Sequence, residues 1–298
     1  MMGSTQSLVN KAGRTGASVG LGAVGLLVAF SAGAVYVADS TSALKPVGIA
    51  WVAFFAMALA IPLGVRAKDQ HAKTLVWGYG LASGAMVVSA AMFLLPQAFG
   101  LAQGAANPAV GMKYAGVGVA AGLLTGFGSH TIAHRFGHLD LGFDHTAVEL
   151  SAHALAAGVI IGIVYGTMPA LGIGLGLAIV SHKGPAGYAA ARRLAANGKS
   201  ATVLLLPATG VGLTAIPASF LDLSGDPLVT AAVFGFAAGV FLHVAMDFLP
   251  KCEIGGEVYE VAQVSDNAHH LLDHLRYHAV GSTLLGGGIV FVAWLLVG

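Results

Sequence analysis

The chain has 298 residues, of which 56% are hydrophobic and 9% are charged, and it carries a formal net charge of +1. About a quarter of the residues in a soluble domain are charged, so this composition and a mean hydropathy of +0.81 exclude one. The near-neutral charge argues against a nucleic-acid partner. The single cysteine, Cys252, excludes an intramolecular disulfide and a cysteine-based zinc cluster. We therefore expect one polytopic membrane bundle, with many of the 43 glycines at close helix–helix contacts.

Nine apolar segments are long enough to cross a bilayer, which takes about 17–25 residues. The first follows Lys11 and Arg14, but its apolar run is longer than that of a signal peptide, so we expect it to be retained. Processing of the N-terminus would leave eight spans instead of nine. The predicted spans are 16–37, 46–66, 75–97, 111–132, 147–166, 168–191, 201–220, 228–249 and 279–297.

The distribution of basic residues predicts the orientation of these spans, because Lys and Arg concentrate in cytoplasmic loops. With a cytoplasmic N-terminus, the outside loops hold only Lys45 and Lys113. Eleven of the 14 basic residues then lie in cytoplasmic loops, namely Lys11, Arg14, Arg66, Lys68, Lys73, Arg135, Arg192, Arg193, Lys199, Lys251 and Arg276. The pattern predicts an integral, multi-pass cell-membrane protein with its N-terminus in the cytoplasm and its C-terminus outside.

The predicted sixth span contains the sharpest polar motif, His182, Lys183 and Pro185 within "AIVSHKGPAGYAAARRL". An ionisable side chain at bilayer depth is costly and by default marks a pathway or binding site for something polar. Proline in a span removes a backbone hydrogen bond and leaves a carbonyl free. A free carbonyl beside an imidazole would give a cation a polar binding position within the span. The alternative is a histidine bonded to a neighbouring helix, next to a simple proline kink.

The predicted fifth span begins with three candidate ligands, because His145, Glu149 and His153 are spaced at i, i+4 and i+8 and share one helical face. Imidazole and carboxylate at that spacing can share a divalent ion, and imidazole suits Zn, Cu, Fe or Ni. The alternative is that His145 and Glu149 lie in the membrane interface and are solvated. We favour that alternative for His145 but not for His153, which lies a turn further inside.

The predicted eighth span carries His243 and Asp247, again four residues apart. A buried carboxylate is either protonated or paired. A structural pair between these two side chains and a metal or proton relay both remain open.

Two further histidine clusters lie at the predicted cytoplasmic ends of the spans, and eleven of the 12 histidines lie at or after residue 130. Short histidine-rich tracts commonly bind metal, although loop histidines are also often only solvated. The first cluster ends the fourth span, and the second fills the predicted last cytoplasmic loop. Their members are His130, His134 and His138, and then His269, His270, His274 and His278.

These motifs resemble the ZIP (Zrt/Irt-like) family of divalent metal transporters. The segments "GAMVVSAAMFLLPQA", "SAHALAAG", "SHKGPAG" and "AAGVFLHVAMDFLP" are similar to the family's second, fourth, fifth and seventh helices. The resemblance covers roughly residues 46–298 and leaves residues 1–45, with one extra transmembrane helix, as an N-terminal addition. It implies an all-α bundle of eight helices in the ZIP-like domain. It also implies uptake of Zn²⁺ or a similar ion toward the cytoplasm through a binuclear site between the fourth and fifth helices.

The chain departs from the family's metal-binding pattern at its acidic positions. His153 and Gly158 match the fourth-helix pattern, but alanines stand at the Asn-type position 154 and at the acidic position 157. In the fifth-helix pattern His182, Pro185 and Gly187 match, whereas Ala186 fills an acidic position and Lys183 follows the histidine. Less negative charge is therefore available to offset a dehydrated divalent cation.

The leading hypothesis is a transporter, not an enzyme, for a divalent transition metal, with zinc first among them. His153 and His182 are its expected ligands, and Glu149, His243 and Asp247 are supplements. Its expected partners are the metal ion and the lipid bilayer, with monomer and homodimer both open. One alternative is a transport-inactive, ZIP-like protein that senses metal or has a structural role. Another is a membrane metalloenzyme in which the two cytoplasmic histidine clusters surround iron.

Overall fold

The computed structural model describes residues 2–38, 44–67, 72–136, 145–167, 176, 180, 182–221, 226–253 and 268–297. Within these ranges nearly all residues are helical, short turns such as 104–107 and 197–200 connect some of the helices, and no strand occurs. A π-helical segment, Ala90–Leu94, joins α3 to α4, and a 3₁₀ segment, Ala201–Leu204, precedes α8. The α-helices are α1 (Met2–Val37), α2 (Lys45–Arg66), α3 (Ala72–Ser89), α4 (Leu95–Gln103), α5 (Pro108–Phe136), α6 (His145–Thr167), α7 (Lys183–Ala196), α8 (Leu205–Ala218), α9 (Pro227–Glu253) and α10 (Ala268–Val297).

Seven segments in the described part of the chain are long and apolar enough to cross a membrane, which fits a multi-pass helical membrane protein. The apolar part of α6, Leu150–Gly166, is shorter. Half of the predicted sixth span, 168–191, lies outside the described residues, and its described part includes the start of α7. The seven segments are Gly16–Val37, Lys45–Arg66, Val76–Gln103, Pro108–Gly128, Ala201–Ala218, Pro227–Met246 and His274–Leu296.

The chain divides into two compact units. The first unit comprises Met1–Asp69, His130–Leu171 and Ala190–Leu223, and so contains α1, α2, α6, α8 and the end of α7. The second unit comprises Gln70–Ser129, Gly172–Ala189 and Ser224–Gly298, and so contains α3, α4, most of α5, the start of α7, α9 and α10.

In the first unit, α6 packs on α8 through glycines spaced four residues apart. A Cβ atom at Gly158, Gly162 or Gly166 would collide with the backbone of α8 or of Ser219, which follows it. The hydroxyl of Thr214 on α8 donates a hydrogen bond to the carbonyl of Leu155 on α6, at 2.7 Å. Small residues and interhelical hydrogen bonds of this kind hold membrane helices together, since the bilayer offers little hydrophobic driving force between them.

Two other contacts of the first unit fix α2. The indole of Trp51 on α2 donates to the hydroxyl of Ser31 on α1 at 3.1 Å, and that hydroxyl donates to the carbonyl of Leu27 at 2.7 Å. At the other end of α2, the buried guanidinium of Arg192 on α7 donates to the carbonyl of Ala67 at 3.1 Å. That contact satisfies a carbonyl that the end of a helix leaves without an intrahelical partner.

In the second unit, α5 and α9 meet along two complementary glycine stripes. A Cβ atom at Gly118 or Gly122 of α5 would collide with the backbone of α9, and one at Gly235 or Gly239 of α9 would collide with the backbone of α5. The two backbones therefore lie in direct contact, which only glycine permits at these four positions.

The second unit also contains a close crossing of α3 and α10. Gly84 on α3 faces the backbone of Thr283 and Gly287, while Gly286 on α10 faces the carbonyl of Leu81. The hydroxyl of Ser282, buried between them, donates to the carbonyl of Val76 on α3 at 3.4 Å. Backbone proximity and the interhelical hydrogen bond of Ser282 both stabilise this crossing.

The α5–α9 contact predicts opposite effects for two neighbouring glycine substitutions on α5. We expect Gly118→Ala to destabilise the protein by about 1–3 kcal/mol, because the added methyl group overpacks the contact with the carbonyl of Ala232. Gly116→Ala adds the same methyl group where nothing lies within 4 Å, so it should stabilise by about 0.5–1 kcal/mol through helix propensity. Reversible unfolding in mixed micelles measures both, and equal effects would contradict the stripe.

Candidate metal-binding residues

His182 is buried immediately before α7, in the second unit. Its side chain is 2% exposed. Its ring lies edge-on to the ring of Phe241 on α9, with 5.8 Å between centroids and an interplanar angle of 83°. Its carbonyl accepts a hydrogen bond from the N–H of Ala186 at 3.0 Å, which closes the first turn of α7. The imidazole is thus held at the start of a helix, against an aromatic side chain.

Pro185 lies close to the start of a helix, and most of the residues that precede it in the predicted sixth span lie outside the described ones, so the interruption of that span stays a prediction. Pro185 is the third residue of α7, where an amide N–H would have no intrahelical partner in any case, so proline costs little there. The carbonyl of His182 accepts a hydrogen bond from the N–H of Ala186, so it is not free. The free carbonyl that the sequence predicts beside the imidazole must therefore belong to another residue. Ser181, the other neighbour, lies outside the described residues.

Two departures from the ZIP pattern, Lys183 and Ala186, are buried beside His182. The Lys183 side chain is 3% exposed and the Ala186 side chain 7% exposed. A buried ammonium group next to the imidazole is unfavourable for binding a cation there, whereas a carboxylate at position 186 would have favoured it. The electrostatics around His182 therefore depend on the imidazole and not on acidic partners in its own motif.

His153 lies half-buried on α6, in the first unit. The neighbouring Ala154 and Gly158 face α8, where the Cβ atom of Ala154 lies 2.8 Å from the position that a Cβ atom of Gly210 would occupy. Gly158 therefore has a packing role on α6, whatever its match to the ZIP motif. Ala157 is 2% exposed and lies one turn from His153 on the same side of the helix.

The i, i+4, i+8 pattern of the predicted fifth span does fall on one helix, α6, which begins at His145. The three positions therefore share one face, as the spacing predicted. The side chains of His145 and Glu149 are not among those that the structure describes, so their candidate roles stay predictions.

His243 belongs to the glycine-stripe contact of α9 with α5. It continues the series Gly235, Gly239, His243, and a Cβ atom at Gly126 would lie 2.6 Å from its ring. Its ring also lies edge-on to Phe127, with centroids 6.4 Å apart. The histidine thus extends the small-residue stripe of α9 and packs on α5.

His243 and Phe241, the residue that contacts His182, lie on different sides of α9. Phe241, which contacts His182, precedes His243 by two residues, a rotation of about 200° around the helix. His243 is therefore a poor supplement to His182 in one coordination shell. The side chain of Asp247 lies outside the described ones, and its pairing with His243 stays a prediction.

The second histidine cluster is helical, because α10 begins at Ala268 and includes all four of its histidines. The expectation of a loop over these residues is therefore wrong. His274 and His278 lie one turn apart, with ring centroids separated by 5.1 Å. Among the described side chains, no group of three or more His, Cys, Asp or Glu is placed to hold a metal ion.

Sequence reasoning missed one residue at this cluster, Trp77. Its indole N–H donates a hydrogen bond to Nδ1 of His278 at 3.4 Å, across 201 residues of sequence. Nothing in the local pattern of α3 distinguishes Trp77 from an ordinary apolar position of a span. Only the pairing of α3 with α10 identifies it as the partner of a histidine.

No protein-family model and no curated protein matches this sequence. The resemblance to the ZIP family therefore depends on the quoted motifs, and the two candidate ligands belong to different units, His153 to the first and His182 to the second.

Proposed function

We propose that the protein transports a divalent transition metal ion, zinc first among them, with His153 and His182 as ligands in transit. The observation that carries the proposal is the burial of His182, a titratable imidazole that is 2% exposed, in a protein whose described residues include seven apolar candidate spans. Buried ionisable groups within membrane proteins are costly and mark pathways for polar species. The ZIP-like motifs around His153 and His182 indicate which polar species it is.

The ligand chemistry selects the class of ion. Imidazole is a borderline ligand that suits Zn, Cu, Fe and Ni, whereas Mg²⁺ and Ca²⁺ prefer carboxylate and carbonyl oxygens. Ala157 and Ala186 stand where the ZIP pattern has acids, so the candidate ligands of these two motifs are neutral. We therefore expect weak binding of borderline transition metals and little binding of Mg²⁺. Glu149 and Asp247 remain candidate supplements, whereas His243, which α9 directs away from His182, is a candidate only for a separate site with Asp247.

The proposed orientation follows from the basic residues. Arg66 and Arg193 are exposed at one end of their helices, in the first unit, where they fit a cytoplasmic surface. We propose nine spans with the N-terminus in the cytoplasm and the C-terminus outside. Transport toward the cytoplasm is the direction that the ZIP resemblance implies.

A second candidate function is a transport-inactive metal sensor, and the burial of Lys183 favours it. This ammonium group is 3% exposed and directly follows His182. A positive charge next to His182 opposes the passage of a divalent cation past that ligand. Binding of zinc without flux is the result that this alternative expects.

Flux into proteoliposomes tests the proposal. We expect the reconstituted protein to admit Zn²⁺, followed by an enclosed zinc-sensitive dye, and to admit Mn²⁺, Fe²⁺ and Co²⁺ more slowly in the order of their affinity for nitrogen ligands. Mg²⁺ should not pass, because it retains its hydration shell without oxygen ligands.

Two controls make the flux measurement decisive. Liposomes without protein report leakage, and Lys183→Gln removes the opposing charge, so it should increase zinc flux. If the detergent-solubilised protein binds zinc but neither the parent nor Lys183→Gln shows flux, the transporter is excluded and the sensor is supported. Iron that stays with the purified protein would support the metalloenzyme instead.

A further inference from the structure

The contact between Trp77 on α3 and His278 on α10 depends on the protonation state of the histidine. Trp77 Nε1 lies 3.4 Å from His278 Nδ1, and the two rings are 6.2 Å apart between centroids. An indole N–H can only donate, so Nδ1 must present a lone pair. The single proton of a neutral imidazole then resides on Nε2.

A second proton has only Nδ1 to bind. It would place an N–H group against the N–H of Trp77, and two donors cannot share a hydrogen bond. The hydrogen bond between α3 and α10 therefore exists with neutral His278 and is lost with the imidazolium. Metal coordination through Nε2 is disfavoured for a related reason, because it would require the proton of the neutral ring to move to Nδ1.

The surroundings of His278 offer no compensation among the described side chains. Nε2 is buried without a hydrogen-bond acceptor in the described part of the chain. The electrostatic neighbours of the ring are Lys73 on α3 and His274 on α10, and each repels a positive charge at His278 when it is protonated. The side chains of Asp247 on α9 and Asp273 on α10 lie outside the described ones.

The contact lies beside the close crossing of α3 and α10. Ser282, one turn further along α10, donates to the carbonyl of Val76, the residue before Trp77. The charge distribution predicts that this end of both helices faces the cytoplasm. Protonation of His278 therefore affects the contact at the end of the α3–α10 crossing that is predicted to face the cytoplasm.

We propose that Trp77 and His278 form a pH-sensitive latch. Their hydrogen bond joins the cytoplasmic ends of α3 and α10 at neutral pH and is lost on acidification, while the two rings remain neighbours. The latch needs no metal and no ligand. It is independent of the proposed transport, and it holds for a transporter and for a sensor alike.

Tryptophan fluorescence tests the latch on the full-length protein. Trp51→Phe and Trp294→Phe leave Trp77 as the only tryptophan of the chain's 3. Because imidazolium quenches a neighbouring indole, emission should fall in one sigmoidal step as the pH is lowered below neutral and the ring takes up its second proton. The step should reverse when the pH is raised again.

Matched variants assign the step to His278. His278→Gln keeps an acceptor for Trp77 but takes up no proton, so its emission should be independent of pH. His274→Gln should retain the step, because His274 makes no hydrogen bond to Trp77. His278→Asn is the second non-titrating variant should glutamine prevent folding. An unquenched parent below neutral pH, or a step that persists without His278, overturns the latch.

Discussion

We expect His153→Ala and His182→Ala each to abolish specific zinc binding. Each substitution removes the imidazole of a motif that has no acidic member, so little remains in that motif to replace the hydration of the ion. Loss of a group that only hydrogen-bonds to a metal ligand costs about 10–100-fold in metal affinity. Loss of the ligand itself should cost more. Isothermal titration of the solubilised, metal-free protein measures the affinity.

His274→Ala is the matched control for this pair. It makes the same substitution at an exposed histidine, outside the two motifs, and should bind zinc like the parent. Helical content and elution volume check that each variant is folded. If both motif variants bind and transport zinc like the parent, the ligands lie elsewhere, and His243 with Asp247 become the next candidates.

Ala157→Glu should tighten zinc binding and make the stability of the protein depend on zinc. Ala157 is 2% exposed, one turn from His153 on α6, so a carboxylate there would be buried. Without an ion the unpaired charge should cost several kcal/mol, on the order of 3, unless it takes up a proton. With zinc bound, the charge is paired. At a zinc concentration one hundred times the dissociation constant, binding should raise the free energy of unfolding by about 2.7 kcal/mol.

Ala157→Gln separates charge from size, since glutamine has almost the same volume as glutamate. It should show the steric part of the loss and no more zinc-dependent stabilisation than the parent. Thermal unfolding of both variants with and without zinc measures the difference. Equal zinc responses of the two variants would show that position 157 does not face the bound ion.

The sequence alone predicted the class of fold well, because the physics of the bilayer acts on each span separately. A span must be long, apolar and helical, since no water satisfies its backbone within the hydrocarbon. Seven predicted spans accordingly correspond to long apolar segments of the structure, from Gly16–Val37 to His274–Leu296. The helical face shared by His145, Glu149 and His153 follows from local spacing in the same way.

One expectation failed because it depended on where a helix begins. The second histidine cluster was expected in a loop, but α10 starts at Ala268 and includes it. Helix ends depend on neighbouring contacts, such as the burial of His182 against Phe241, and local composition does not contain that information.

The roles of particular residues were decided by tertiary structure. Gly158 matches a motif in sequence, but in three dimensions it packs on α8. His243 resembles a ligand in sequence, but its ring lies over Gly126. Trp77 carries no signal at all until α10 brings His278 to it. The sequence by itself therefore determined a helical membrane protein with buried imidazoles, because hydropathy and helical spacing are local. Only the tertiary structure decided which imidazole meets which partner, because contacts between membrane helices depend on close fits between distant segments.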